Sequence, residues 1–340
     1  MSNQRSHRVA VIGGDGIGPE VTAAALDVVA SAGVALETTT FDLGAARYLR
    51  DGFVLDDETL DDLRGYEAIL LGAIGPAIGD TRIAGGVLER GLLLRMRFAL
   101  DLYVNYRPFR GVAGSLAEGC EFAIVRENTE GPYVGEGGVL RYGTPHEVAT
   151  QGSVNTRFGV ERCVRFAFEL ANERARKKLT LVHKTNVLTF SGDLWRRVVA
   201  EVGASYPDVE VDYQHVDAAT IYFVEDPQRY GIIVTDNLFG DILSDLAGAI
   251  TGGIGFAASA NLNPDRTGAS LFEPVHGAAH DIAGTGRANP LAAVSSAALM
   301  LEHLGEADAA QRIAQAVADF EGDVAALGTD GVTRQLQERL

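Results

Sequence analysis

Two aspartates stand four residues apart in the stretch Thr235-Asp-Asn-Leu-Phe-Gly-Asp241-Ile-Leu-Ser-Asp245. A strand-like apolar run, 232–235, leads into it, and a helix predicted over 241–250 places both carboxylates on one face. Like charges held side by side need a neutralising partner, and hard carboxylate oxygens suit Mg²⁺ or Mn²⁺. A plainer reading makes them acids favoured by a helix N-terminus, which fits Asp241 better than Asp245. A third acid, Asp217 in QHVDAAT, follows another strand-like run and by itself reads as a loop or cap residue.

Other side chains have their own chemistry. Arg95, Arg97, Arg107 and Arg126 carry guanidinium forks, which match carboxylates in a bidentate way. Taken singly, each also reads as a surface arginine with a buried stem. Lys184, in HKTNVL, is one of only three lysines, with Lys177 and Lys178. Tyr133 ends the run ENTEGPY. The stretch FEPVHGAAHDIAGTGRANP, residues 272–290, is rich in small residues that let a ligand approach the backbone. Asp281 within it suits a pair of ribose hydroxyls and would repel a 2′-phosphate.

These residues must be positioned by elements that alternate along the chain. Strand-like runs fall at 9–12, 36–41, 68–72, 122–126, 179–183, 209–213 and 232–235. Helical patterns fall at 19–32, 88–102, 158–176, 241–250, 291–304 and 307–320. The alternation predicts an α/β protein with a largely parallel sheet. The first strand enters GGDGIGPEV, which invites comparison with a dinucleotide-binding turn. That fingerprint is G-x-G-x-x-G, with its third glycine inside the helix. Gly14, Gly16 and Gly18 give G-x-G-x-G instead, and Pro19 holds the place of the third glycine. Proline suits a helix's first turn, so the segment reads equally as a tight strand-to-helix turn. Asp42 imitates the ribose-binding acid of a Rossmann unit, but Asp281 is the better candidate.

Composition narrows the function classes. The 340 residues are 46% hydrophobic with a net charge of −17, enough apolar content for a sizeable core and too acidic for a nucleic-acid binder. Cys120 and Cys163 form no CxxC motif and no disulfide framework, which points to a reducing compartment. The polar start MSNQRSHR has no apolar signal core, and the apolar stretch 247–260 is too short to span a bilayer. The expectation is a soluble, cytoplasmic protein that binds neither nucleic acid nor membrane.

Taken together and in order, GDGIGPEV, RENTEGPY, HKTNVL, DNLFGDILSDL, GGIGFAAS and FEPVHGAAHDIAG resemble the β-decarboxylating dehydrogenases that act on isopropylmalate, isocitrate, homoisocitrate and tartrate. The resemblance covers nearly the whole chain. It implies a two-domain isopropylmalate/isocitrate dehydrogenase-like α/β fold that is not a Rossmann fold. One domain would combine 1–98 with 250–340 and carry most of the NAD site. The other, 99–249, would hold the dimer contacts and the metal and substrate residues. It further implies Asp241 and Asp245 as metal ligands, with Asp217 supplied by the second subunit of a homodimer with shared active sites. Arg97, Arg107 and Arg126 resemble the carboxylate clamp, and Tyr133 with the partner's Lys184 the acid/base pair. Glu273, His276, Gly277, Ala278, Ala279, Asp281 and Asn289 resemble the NAD contacts.

The substrate expectation rests on polarity. Isocitrate relatives place a Ser and an Asn before the first clamp arginine, whereas this chain has Leu92, Leu93 and Leu94. Stripping water from a third carboxylate against leucines costs several kcal/mol. Burying an isopropyl group there gains roughly 1–3 kcal/mol. Leu93 and Leu94 are therefore expected to line a pocket for 3-isopropylmalate, with D-malate, tartrate and homoisocitrate as alternatives. Asp281-Ile282, where NADP-using relatives carry a Lys–Tyr pair, favours NAD. Two departures stand out: Arg90 holds the place of a glutamate common seven residues before the clamp arginine, with Glu89 one place earlier, and His280 replaces a common proline.

Overall fold

A computed structural model describes residues 6–340; the first five residues of the polar start lie outside it. Its contacts divide the chain into two compact units, one running up to Leu102 and resuming at Gly252–Leu340, the other Tyr103–Thr251. Among the described residues no helix is long and apolar enough to cross a membrane.

The first unit is built on β1 (His7–Gly14), β2 (Leu36–Thr40) and β3 (Ala68–Ala73), with β11 (Ala258–Leu262) and β12 (Ser270–Pro274) added from the returning chain. Strand order is β2-β1-β3-β12-β11; all neighbours are parallel except the antiparallel pair β11–β12. Helix α1 (Gly18–Ser31) packs against α9 (Leu291–Leu304) and α11 (Val324–Gln337). Helices α2 (Ala45–Asp51), α3 (Asp57–Arg64), α4 (Arg95–Ala99) and α10 (Ala307–Ala318) complete the unit. β3 is buried at every position, as its unbroken apolar run AILLGA requires of a central parallel strand. β2 is the sheet's edge and is mostly exposed, and its threonines suit that place. Asp42, just beyond β2, pairs with Arg50 at the surface rather than posing as a ribose acid.

The second unit contains β4 (Val104–Arg110), β5 (Glu121–Glu127), β8 (Lys178–His183), β9 (Glu210–His215) and β10 (Ile232–Thr235) in the order β4-β5-β10-β8-β9. β4 and β5 are antiparallel and the rest parallel. Helices α5 (Arg157–Glu173), α6 (Thr189–Gly203), α7 (Val216–Glu225) and α8 (Asn237–Thr251) accompany these strands. A separate hairpin, β6 (Gly137–Leu140) with β7 (Val148–Gln151), is exposed throughout. Two predicted elements differ. Helix 241–250 begins at Asn237, because Asp236 accepts from the Phe239 N–H at 2.8 Å and caps it there. The stretch 88–102 is not one α-helix but a π-turn, Glu89–Leu94, followed by α4.

His7, at the head of β1, is buried with Nδ1 3.0 Å from Glu67 and Nε2 3.0 Å from Glu306. An imidazolium donates to both carboxylates, tying β1 to the residue before β3 and to the α9–α10 junction. Burial alone would lower its pKa, but the hydrogen bonds it donates to Glu306 and Glu67 outweigh it and hold the imidazole above its usual value. The folded state therefore binds this proton more tightly than the unfolded chain. The stability it contributes is complete below the unfolded pKa of 6.5 and is lost as pH rises through the raised folded value. Denaturant titrations from pH 6 to pH 9 should show wild type losing stability relative to His7→Gln. A difference that stays constant across that range would remove this role.

Candidate active site

In the second unit several of the candidate side chains converge on one guanidinium. Arg126, at the end of β5, is 1% exposed. Its Nε and Nη2 donate to Asn237 Oδ1 at 3.0 and 2.7 Å, and its Nη1 donates to Asp241 Oδ1 at 2.5 Å. Gly240 leaves room for this, since a Cβ there would come within 2.5 Å of the Arg126 stem. Tyr133 donates its hydroxyl to the other oxygen of Asp241, at 2.7 Å, and the Arg126 guanidinium lies 5.2 Å from the tyrosine ring centre. Arg107, on β4, donates to Ser244 Oγ at 2.5 Å, which in turn donates to the Asp241 carbonyl. Asp241 and Asp245 thus sit a turn apart on α8, with Arg107 and Arg126 near them. Asp236 caps the helix instead of Asp241, so the plain helix-dipole reading of Asp241 no longer applies. Partial burial holds the Asp245 carboxyl above its usual range; Arg107 and Arg126 oppose this and the Asp241 charge adds to it. A divalent cation would relieve that pair.

Lys184 follows β8 and donates to Asp217 Oδ1 at 2.6 Å. Asp217 lies in the first turn of α7 rather than in a loop, and its bond to Lys184 lowers its pKa. Among the described residues no three His, Cys, Asp or Glu side chains of one chain gather as a metal-holding group. Asp217 is therefore paired with Lys184, while Asp241 and Asp245 form a set of two.

In the first unit the π-turn governs which residues share a face. Its i→i+5 bonding holds one more residue per turn than an α-helix. Leu88, Leu92, Met96 and Leu100 are buried in strict steps of four. The same step aligns Glu89, Leu93 and Arg97 on the neighbouring line, and leaves Arg90 off it. Leu92 is fully buried with Ile12, Leu71 and Leu271, so it belongs to the core; Leu93 is partly exposed but packs against the same core, and Leu94 is partly exposed. Arg97 Nη2 lies 3.4 Å from Glu273 Oε1, which also accepts from Asn261 at 2.7 Å. Arg95 is spent elsewhere, on the Leu55 carbonyl and Asp57.

The glycine-rich turn after β1 is a latch. Asp15, buried, accepts from the backbone N–H groups of Ala45 at 2.7 Å, Ala46 at 3.0 Å and Gly75 at 3.0 Å. It thereby caps α2 from a distance. Ile17 donates to the Ala278 carbonyl at 2.8 Å, and Gly16, at φ 59°, lies so close that a Cβ would overlap that oxygen. His280 Nε2 lies 2.7 Å from the Gly75 carbonyl, so the residue that departs from a common proline makes a tie of its own. His276 Nε2 is buried without a hydrogen-bond partner, and burial lowers the pKa of its ring. Gly277 faces open space, Ala279 takes a positive φ of 38°, and Asp281 is exposed. Asn289 accepts from the Leu291 N–H at 3.0 Å at the start of α9.

The sequence profile described as isocitrate/isopropylmalate dehydrogenase matches residues 8–329. The chain belongs to this family. A 3-isopropylmalate dehydrogenase of Beutenbergia cavernae is 60% identical over 96% of this chain and 94% of its own length. One from Thermobifida fusca is 59% identical over 93% and 91%. An isocitrate dehydrogenase from Methylococcus capsulatus has a TM-score of 0.88 at 39% identity, covering 98% of this chain and 99% of its own. In this chain GDGIGPE is not a Rossmann fingerprint, and its Asp15 serves to hold backbone N–H groups.

Sequence reasoning passed over Asp15, Asn237, Ser244 and Asn261. All but Asn261 stand inside the quoted motifs; Asn237, Ser244 and Asn261 are types that do not signal chemistry by themselves, and Asp15 was hidden by the glycines around it. Asp15→Ala would strand three backbone donors, and each buried donor left without a partner costs about 1–3 kcal/mol. Denaturant unfolding should show a loss of at least about 2 kcal/mol. A loss within ±0.5 kcal/mol, as for ordinary surface substitutions, would disprove the latch.

Proposed function

We propose that the chain catalyses NAD- and Mg²⁺- or Mn²⁺-dependent oxidative decarboxylation of 3-isopropylmalate to 4-methyl-2-oxopentanoate, the step that serves leucine biosynthesis. The observation that carries this reading is the Arg126–Asp241–Tyr133 cluster, in which a clamp cation, a metal-type acid and a proton donor share bonds. Leu93 and Leu94 favour an apolar substrate arm over the third carboxylate of isocitrate. D-malate, tartrate and homoisocitrate remain the alternatives within the family.

The residues fit the two bound groups. Asp241, Asp245 and a second copy's Asp217 would supply hard oxygen ligands, and a single chain gathers no such set of three among its described residues. Glu273, His276, Gly277, Ala278, Ala279, Asp281 and Asn289 would hold NAD, with the orphaned His276 Nε2 and the open face of Gly277 as the features left for a ligand. When bound, these groups would accept the hydride that leaves the substrate's C2 and stabilise negative charge on the substrate oxygens.

The side chains do the rest. Arg97, Arg107 and Arg126 hold the two carboxylates. The partner's Lys184 accepts the C2 hydroxyl proton as the hydride leaves, which requires its ammonium first to give up a proton to solvent and part from Asp217. The C–C bond to the carboxylate then breaks and CO₂ departs. Tyr133 delivers a proton to the carbon left behind, and solvent restores the tyrosine.

The proposed assembly is a cytoplasmic homodimer with shared sites. Exposed Ile221, Val224, Leu238 and Ile242 on α7 and α8, and the exposed β6–β7 hairpin, support a second copy as the occupant of this surface. Cys120 and Cys163 are free and buried, in keeping with a reducing compartment.

Following the reduced-nicotinamide absorbance with four acids should show fast reduction of NAD by 3-isopropylmalate, little by isocitrate, D-malate or tartrate, and none after chelation. Preference for another acid would overturn the leucine-wall argument. No reduction with any would overturn the dehydrogenase reading.

Sharing is tested separately. Lys184→Met and Tyr133→Phe should each cost roughly 10²–10⁴-fold in rate. Mixed dimers of the two should regain about half of wild-type activity per dimer, because one site then holds both an intact Tyr133 and the partner's intact lysine. Mixed dimers no more active than either parent would place both groups of each site in one chain.

A further inference from the structure

The proton donor proposed above is carried by a turn that has no buried residue of its own. Tyr133 lies in a short turn, Pro132–Val134, after Gly131 at φ 73°. What fixes the path from β5 to this turn is a fully internal acid. Glu127, the last residue of β5, is 2% exposed. Its Oε1 accepts from the Thr129 N–H at 2.8 Å and the Thr129 hydroxyl at 2.7 Å, and its Oε2 from the Glu130 N–H at 2.8 Å. The carboxylate therefore folds the chain immediately ahead of it into a tight loop. Glu130, so placed, accepts from the Thr156 N–H at 2.7 Å and the Thr156 hydroxyl at 2.5 Å, and Thr156 itself caps α5. The Glu130 carbonyl accepts from Asn237 Nδ2 at 3.1 Å, the same asparagine whose Oδ1 receives Arg126. Gly131 then exchanges backbone bonds with Val154.

A structural acid at this point is expensive. Burial pushes the Glu127 carboxyl up to about 7, against the pull of its three donors, and Glu130 adds to the rise. The buried Cys163 thiol lies in the same field, and Arg162 reaches the shared Thr129 hydroxyl at 3.4 Å. A glutamine or threonine could close a loop at lower cost. A carboxylate alone offers acceptors to all three donors at once, and so sets one loop path.

We infer that Glu127 is a positioning residue for Tyr133: its carboxylate, through Thr129 and Glu130, holds the 128–134 loop so that the tyrosine hydroxyl reaches Asp241. This rests on Tyr133 being the proton donor of the proposed reaction. Arg97 and Arg107 are anchored outside this loop, and Arg126 keeps Asp241 even though its other partner, Asn237, also holds the Glu130 carbonyl, so KM should change far less than kcat.

The test is a double-mutant cycle on turnover of 3-isopropylmalate by the intact protein. Glu127→Gln should lower kcat about tenfold or more while KM for the acid stays within twofold. In the Tyr133→Phe background the same substitution should change kcat by less than twofold. Thr129→Val, which removes one donor and keeps the acid, should give a smaller loss of about threefold in the same pattern, and serves if Glu127→Gln does not fold. An equal loss in both backgrounds would overturn the inference, as would a folded Glu127→Gln protein, or a Thr129→Val protein, with unchanged kcat and only a lower Tm. If Tyr133→Phe alone turns over at the wild-type rate, the Tyr133 assignment fails and the positioning role falls with it, an outcome distinct from the other two.

Discussion

A guanidinium sealed from water needs its charge answered from within, and Arg126 is the constraint from which the second unit's chemistry follows. Its fork is taken up by Asn237 and Asp241, one helical turn apart on α8, so β5 and α8 can meet in only one register. Breaking a buried pair by removing one partner is far more costly than its net stabilisation, which makes such a pair better at specifying geometry than at adding stability. That register decides where Asp241 points, and Tyr133 then completes the same carboxylate. Asp245 follows one turn later on α8. The placement of Asp241, Asp245 and Tyr133 around Arg126 thus follows from one desolvated charge.

The first unit solves a comparable problem with a carboxylate. Asp15 gathers backbone donors from the start of α2 and from the loop after β3, and the neighbouring Ile17 N–H holds Ala278. The turn after β1 resembles a phosphate-binding loop because both need glycines where backbone must approach backbone or ligand closely. Here the close approach is to the Ala73 and Ala278 carbonyls, which a Cβ on Gly14 or Gly16 would strike. The same residue types therefore serve an internal anion rather than an external one.

This separation explains what was legible in the sequence. Long apolar runs such as 68–72 and 179–183 gave the central strands, because burial on both faces leaves no other composition. The acids and arginines were legible as types with chemistry, and their order matched a family pattern. The start of α8 was missed by a turn although Asp236 is a standard capping residue, because Asp241 drew the boundary toward itself. β4 was missed because Pro108 lies within it, and proline argues against a strand by local rules. The hairpin β6–β7 has neither face buried, so it has no alternation to read.

The π-turn shows a deeper limit. Nothing local in ERGLLLR favours i→i+5 bonding over i→i+4; the wider turn is selected by the core, which needs Leu88, Leu92, Met96 and Leu100 on one line. Its functional consequence is that spacing counted along the sequence no longer reports spacing on the helix face. Eight residues separate Glu89 from Arg97, yet the step of four puts them on a common line through Leu93. Arg90, seven residues before Arg97, falls off that line. Motif distances measured in residues hold only while the element between them keeps its period, and a packed core is free to change that period where it gains by doing so.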